Sequence, residues 1–241
     1  KKGEGVSYDA LCRISWAKGN YQEASQLAFQ MIETFEKLND QKGLTKSYYR
    51  LGQVHHQWKN FEQAKSYYFK AIELNKPMEN IGLEGYLTNS LGSLYLDFER
   101  LDSAMYYYQY SLSLRKQIRD EQGIGQSYNN IGLVYSRQGN YREALTYLNM
   151  SLPITKKMNN KVRLAITNRG LGETYLALGN YAKAESFLID ALDQMKKMKD
   201  RMALLEINET LEKLEEQRGD FKKALFYERQ KRAYQDSMFN E

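Results

Sequence analysis

Residues 121–160 read EQGIGQSYNNIGLVYSRQGNYREALTYLNMSLPITKKMNN. Near the middle, Ile131-Gly132-x-x-Tyr135 is followed by Gly139-Asn140-Tyr141-x-x-Ala144. A shift of forty residues in either direction finds the frame again. Leu51-Gly52-x-x-His55, Leu91-Gly92-x-x-Tyr95 and Leu171-Gly172-x-x-Tyr175 repeat its first part. Gly19-Asn20-Tyr21-x-x-Ala24, Gly179-Asn180-Tyr181-x-x-Ala184 and Gly219-Asp220-Phe221-x-x-Ala224 repeat its second, with weaker copies at Lys59-Asn60-Phe61-x-x-Ala64 and Leu101-x-x-Ala104. Self-similarity at a fixed period over a whole chain marks a solenoid, in which each unit contacts only its neighbours. The expected organisation is one superhelix over 1–241, in units of about 1–40, 41–80, 81–120, 121–160, 161–200 and 201–241, the first and last degenerate.

Each unit holds two helical patterns. In 41–80 they run from about Lys42 to Trp58 and from Phe61 to Asn75. Asp40, Asn80, Asp120, Asn160 and Asp200 stand at one register, and Asn20, Asn60, Asn140, Asn180 and Asp220 at another. Short oxygen-bearing side chains there accept from unpaired N–H groups at a helix start, each for about 1 kcal/mol. Arg100 breaks the series and predicts a looser start in the third unit. Pro77 falls in a connection, where its missing N–H does no harm. Gly52, Gly92, Gly132 and Gly172 each cost about 1 kcal/mol inside a helix, so the spacing predicts close approach of the paired helix at Ala64, Ala104, Ala144 and Ala184, with Cys12 as a small residue in the first unit. Tyr68, Tyr108, Leu148 and Leu188 are expected to face the next unit. In the last unit Glu212 replaces the helix glycine and Lys231-Arg232 replace a small-plus-apolar pair, as a polar outer face requires. Phe221, Ala224, Leu225 and Tyr227 are expected to stay on the inner face. The pattern persists to Met238-Phe239, from which a helix continuing into a longer parent is expected.

Composition narrows the function classes. Twenty Tyr and only 2 Pro suit long helices. The single cysteine, Cys12, excludes an intrachain disulfide and a cysteine-based metal cluster. The net charge of +5 is dispersed, without the basic stripe of a nucleic-acid binder. No apolar run reaches the length of a bilayer span; because the chain opens Lys1-Lys2, it is expected to be a piece of a longer parent, touching a membrane only through other parts. No catalytic, cofactor or metal site is expected. Gly170-Leu171-Gly172 and Gly123-Ile124-Gly125 lack the strand–turn–helix setting of a phosphate loop. His55 and His56 point about 100° apart on a helix and cannot chelate one ion; His55 takes a tyrosine register and is expected as a packed ring. Glu206, Glu209, Glu212, Glu215 and Glu216 are expected to form a solvated face, and most of Tyr106, Tyr107, Tyr108 and Tyr110 to pack between repeats.

The frame aromatic-x-x-Leu-Gly-x-x-Tyr followed by Gly-Asn-Tyr-x-x-Ala-x-x-x-Tyr resembles the tetratricopeptide repeat, over essentially the whole chain. The resemblance implies an all-α, right-handed solenoid of about six antiparallel helix pairs, with a period of 40 rather than about 34 residues and each helix longer by about a turn. Runs such as Ser127-Tyr128-Asn129-Asn130-Ile131-Gly132-Leu133-Val134-Tyr135, and the ending from Tyr234 to Glu241, look like bacterial sensor proteins in which extracytoplasmic repeats precede a coiled coil, a membrane helix and a histidine kinase or helix-turn-helix output. The resemblance implies an extracytoplasmic location; a cytoplasmic one is the alternative.

In this family the first helices line the concave side. Residues flanking each Leu-Gly pair are then expected in the groove: Tyr49, Asn89, Asn129 and Arg169 before it, Gln53 after it, Tyr86 and Gln126 a turn earlier, His56 and Arg137 a turn later. Asn carries a donor and an acceptor and pairs with a peptide unit, so Asn89 and Asn129 are expected to hold an extended backbone. Arg169 and Arg137 are expected to hold a carboxylate, and His56 to bond a ligand or titrate. The expected partner is a peptide or protein segment, not nucleic acid, bound by a noncatalytic sensory or docking module. A ligand-free dimerisation scaffold, with a possible homodimer, is the alternative.

Overall fold

The computed structural model describes residues 2–239, and every regular element among them is helical. The chain divides into two compact units, residues 1–123 and 124–241, each described here by itself. The first contains α1 (Lys2–Ala17), α2 (Tyr21–Lys37), α3 (Gln41–Gln57), α4 (Phe61–Asn75), α5 (Ile81–Asp97) and α6 (Leu101–Gln117). α7 (Glu121–Arg137) runs through the division. The second continues with α8 (Tyr141–Lys157), α9 (Lys161–Ala177), α10 (Tyr181–Met198), α11 (Arg201–Arg218) and α12 (Phe221–Phe239). No helix among the described residues is long and apolar enough to cross a membrane. The ends expected for the 41–80 pair fall within a residue of those observed. Met238-Phe239 lie in α12, but their side chains, with Asn240 and Glu241, lie outside the described residues.

The turns are local devices, and they recur every twenty residues. One residue in each takes the left-handed conformation: Gly19, Gly139, Gly179 and Gly219, but also Asn39, Lys59, Glu79, Glu99, Arg119, Asn159 and Lys199. The residue after it starts the next helix. Asp40, Asn60, Asn80, Asp120, Asn160, Asn180, Asp200 and Asp220 accept from the N–H three residues on, for example Gly43 at 2.9 Å. Asn20 and Asn140 make no such bond. Arg100 makes no side-chain cap bond, as expected, but the helix start keeps its place. α6 begins at Leu101 in the common register, because Glu99 supplies the left-handed turn and Arg100 N–H donates to Tyr95 O at 2.9 Å, as Asn60 N–H donates to His55 O. Pro77 sits in a short 3-10 turn, Lys76–Met78. Pro153 lies inside α8 without ending it.

The helix glycines are explained by a different neighbour from the one expected. A Cβ on Gly52 would lie 2.5 Å from the Tyr68 ring, and on Gly92 2.6 Å from Tyr108. The same overlap arises at Gly132 with Leu148, 2.8 Å, and at Gly172 with Leu188, 2.6 Å. The close approach expected at the alanines is seen in two of the four pairs, with Ala144 O at 3.2 Å and Ala184 O at 3.3 Å. So each of these four hairpins has a notch on its first helix and a large plug sixteen residues on. The plugs serve their own hairpin first; Leu148 also reaches Gly170 of the following first helix. Beside the plug, a ring pair repeats at a spacing of twelve: His55–Tyr67 at 5.1 Å between centroids, Tyr95–Tyr107 at 5.3 Å, Tyr135–Tyr147 at 5.5 Å and Tyr175–Phe187 at 5.7 Å. His55 is thus the packed ring its register implies, and burial lowers its pKa. Of the tyrosine run, Tyr108 is buried and Tyr107 stacked, whereas Tyr106 and Tyr110 are exposed, Tyr110 donating to Glu84 of α5 at 2.7 Å.

The last pair departs from the pattern chemically. Glu212 takes the notch position and bonds Lys231 at 2.6 Å. Glu215 takes the tyrosine position and is fully buried, with Arg218 at 3.3 Å and Lys223 at 3.8 Å. Glu212 and Glu215 are therefore ion-paired and covered instead of solvated as expected, whereas Glu216 is exposed. Ala224 and Tyr227 are inner residues as expected, but Phe221 and Leu225 are exposed; in the second repeat the equivalent Phe61 is covered by Tyr95 and Phe98 of the next first helix.

A bulky residue in a notch must displace its plug, and overpacking costs about 1–3 kcal/mol or more. Gly92→Leu is expected to destabilise the protein by at least about 2 kcal/mol in urea titrations followed by circular dichroism, despite leucine's better helix propensity. An unchanged midpoint would show that Gly92 is not a notch.

Candidate functional site

The residues expected in the groove all fall on first helices, and four of them, Tyr49, Tyr86, His56 and Arg169, join one first helix to the next. In the first unit Arg50 on α3 donates from Nε to Asp9 of α1 at 2.8 Å and from Nη1 to Gln53 at 2.8 Å. Tyr49 OH donates to Tyr86 OH on α5 at 2.8 Å, with the rings 5.0 Å apart. His56 Nε2 and Asp97 Oδ2, also α3 to α5, are 2.9 Å apart. In the second unit Arg169 on α9 pairs with Glu206 on α11 and lies 3.8 Å from Glu173. Thr174 Oγ1 donates to Ser136 of α7 at 3.4 Å. The separations are 37, 38 or 41 residues, one period less two or three, or plus one. Those offsets bring facing rows of adjacent first helices together.

Burial sorts the candidates. Tyr49 and His56 are buried, and Asn89 and Asn129 are only 4% and 6% exposed. The expectation of an open asparagine ladder is thus corrected: neighbouring first helices lie close enough to cover a side chain as short as Asn. Asn129 Oδ1 is buried and accepts no hydrogen bond within the described residues. Arg169, expected to hold a ligand carboxylate, already holds two from the chain. Tyr86 and Arg137 are exposed, and Gln53 and Gln126 half-buried. Burial, together with Tyr86, raises the Tyr49 pKa well above the phenol value, so its hydroxyl stays neutral. Burial also raises the Glu173 carboxyl, against the opposing pull of Arg169.

Two clefts open between neighbouring first helices. The larger, about 560 Å³, lies between α1 and α3. Ala10, Ile14 and Ala17 form an apolar wall, and Arg13, Trp16 and Gln53 bring polar groups. Arg13 is exposed and has no hydrogen-bond or ion-pair partner among the described residues. Trp16 Nε1 is buried and unpartnered. The smaller, about 220 Å³, lies between α9 and α11, walled by Ile166, Met195, Met202 and Ala203 with the Arg169–Glu206 pair at its edge. The sequence reading missed Arg13, Trp16, Asp9 and Asp97. The 37- and 41-residue offsets were the available signal for the acids; Arg13 and Trp16 sit in a degenerate unit with no repeated frame to flag them.

A family model described as Tetratricopeptide repeat matches residues 84–157 and 163–233, and a second of the same description matches 45–76. No curated protein sequence matches the chain. Among solved structures, BtubC (BKLC) from P. vanneervenii superposes with a TM-score of 0.74 at 18% identity, covering 92% of this chain and 93% of that one. A Rap protein complexed with Competence and Sporulation Factor gives 0.76 at 15% identity, covering 98% and 76%. A signal transduction ATPase with a tetratricopeptide repeat sensor, from Pyrococcus horikoshii, gives 0.71 at 18% identity over 98% of this chain but 37% of that one. At these identities the likeness is one of fold. Repeated helix hairpins, notch-and-plug packing and the family match agree: this chain is an all-α solenoid of the tetratricopeptide repeat family, a family of generally noncatalytic protein-interaction modules.

Proposed function

We propose that this chain takes an extended peptide segment on its first-helix face and serves as the sensory or partner-docking region of a signalling protein. The cleft between α1 and α3 carries the reading. It sets an uncommitted guanidinium, an unpartnered indole N–H and a side-chain amide beside an apolar wall. Small-ligand and peptide sites are of this kind, mostly apolar with a few convergent polar groups. A peptide carboxylate pairs with Arg13 by charge-assisted hydrogen bonds, an adjacent apolar side chain packs on Ile14, and a main-chain amide meets Gln53. Tyr86, on α5 of the same unit, extends the contact. The Rap protein's complex and the ATPase's sensor repeats support the signalling role by analogy of fold.

The test uses fluorescein-labelled hexapeptides carrying Leu-Glu or Leu-Gln pairs and the Trp58→Phe chain, in which Trp16 is the remaining indole. Saturable binding of the acidic peptide with a change in Trp16 emission is expected, at least tenfold weaker in Arg13→Glu, since bonds to charged groups are worth about 1.5–3 kcal/mol. Equal affinity for both peptides, or none, would overturn the reading.

Because Asn129 is buried, Asn129→Leu is expected to leave peptide affinity within about twofold. The same change is expected to raise stability by about 1 kcal/mol, by removing a buried acceptor without a partner. A marked loss of affinity with unchanged stability would restore the asparagine to the ligand.

A further inference from the structure

The second and sixth residues of each forty-residue unit lie on the open side of its first helix. In α3 they are Lys42 and Lys46, both exposed, and in α7 Gln122 and Gln126. In α9 they are Val162 and Ile166, and α11 carries Met202 at the first of the two. Ile166 and Met202 are 36% and 53% exposed, at positions that stand open in the interior repeats too. Apolar side chains thus occupy places that other repeats give to lysine and glutamine. The neighbouring positions differ as well. Between α3 and α5 the rings of Tyr49 and Tyr86 pack on each other, 5.0 Å apart. Between α9 and α11 the corresponding residues are Arg169 and Glu206, and beside them the cleft of about 220 Å³ stays open, lined also by the buried Met195.

The charges at its mouth are unbalanced. Glu206 pairs with Nη1 of Arg169. Glu173, one turn further along α9, lies 3.8 Å from the Arg169 Nε, beyond hydrogen-bond reach, and accepts no hydrogen bond among the described residues. Lys213 is held by Glu209 at 2.7 Å. Arg137 and Lys213 favour the charged Glu173 only through their field, and burial still raises its pKa. Two carboxylates therefore share one guanidinium. We infer that the cleft between α9 and α11 binds a peptide segment in which an apolar side chain adjoins a lysine or arginine. The apolar side chain packs among Ile166, Met195 and Met202 and removes the first and last from water. The cation meets Glu206 and Glu173 and supplies the charge-assisted bonds that Arg169 alone does not. The sign of the preferred charge is opposite to that of the α1–α3 cleft, whose uncommitted group is the Arg13 guanidinium, so the two sites stand or fall separately.

The probes are fluorescein-labelled hexapeptides, otherwise alanine, that carry a Leu-Arg or a Leu-Gln pair. Each is titrated into the whole chain and followed by anisotropy. The Leu-Arg peptide is expected to bind saturably, more tightly than the Leu-Gln peptide, and to weaken with added salt. Glu173→Gln is expected to weaken the Leu-Arg peptide by about three- to fivefold, as for a partly exposed ion pair, and to leave the Leu-Gln peptide unchanged. Met202→Lys changes an exposed side chain, so the fold is retained, and is expected to abolish binding of the Leu-Arg peptide. Arg13→Gln is expected to leave that binding unchanged. Absence of binding, equal affinity for the two peptides, or binding insensitive to Met202→Lys would overturn the inference. So would a loss of Leu-Arg binding in Arg13→Gln, which would assign the peptide to the α1–α3 cleft.

Discussion

Close approach of two helices at a glycine is the constraint on which the fold depends. A helix interior gives up about 1 kcal/mol for each of Gly52, Gly92, Gly132 and Gly172, and the return is a notch into which Tyr68, Tyr108, Leu148 or Leu188 packs at full burial. The plug fixes the distance between the two helices and their rotation about their own axes. With rotation fixed, the ring pairs at a spacing of twelve follow, since the tyrosine a turn after each glycine must then face the second helix. The left-handed residue in every turn holds the hairpin at a length that keeps notch and plug in register, whether or not that residue is glycine.

The first-helix face shows how a binding surface and a packing interface compete for the same positions. Tyr49, His56 and Arg169 are amphipathic or charged, which is why they read as ligand contacts. Yet Tyr86, Asp97 and Glu206 stand where adjacent helices bring them, and the pairs close on one another. Such pairs orient neighbouring first helices more than they stabilise the fold, because partly exposed ion pairs contribute little net energy. Among the described residues of the α1–α3 cleft, Arg13 and the Trp16 indole N–H have no internal partner.

The pair α11–α12 follows the same logic with different chemistry. In α11 and α12 the notch and the ring position become Glu212 and Glu215, and Lys231, Arg218 and Lys223 answer them. A buried carboxylate is tolerated there because cations reach it from both helices; without them its desolvation would be costly.

The sequence by itself determined the period, the number and ends of the helices, the turn positions and the residues at each notch. These depend on local chemistry: capping oxygens, left-handed turn residues and the 3.6-residue recurrence of apolar side chains. It marked Gly52 and its equivalents as points of close approach but named Ala64 where Tyr68 is the contact, because spacing along a helix does not say which turn of the partner lies opposite. The site was legible only as a face. Whether Asn129 is open or buried, and whether Arg169 meets a ligand or Glu206, depends on how far apart and at what rotation adjacent first helices settle. That is decided by the plugs between them, so only the tertiary structure distinguishes a row of side chains facing solvent from the same row facing its neighbour.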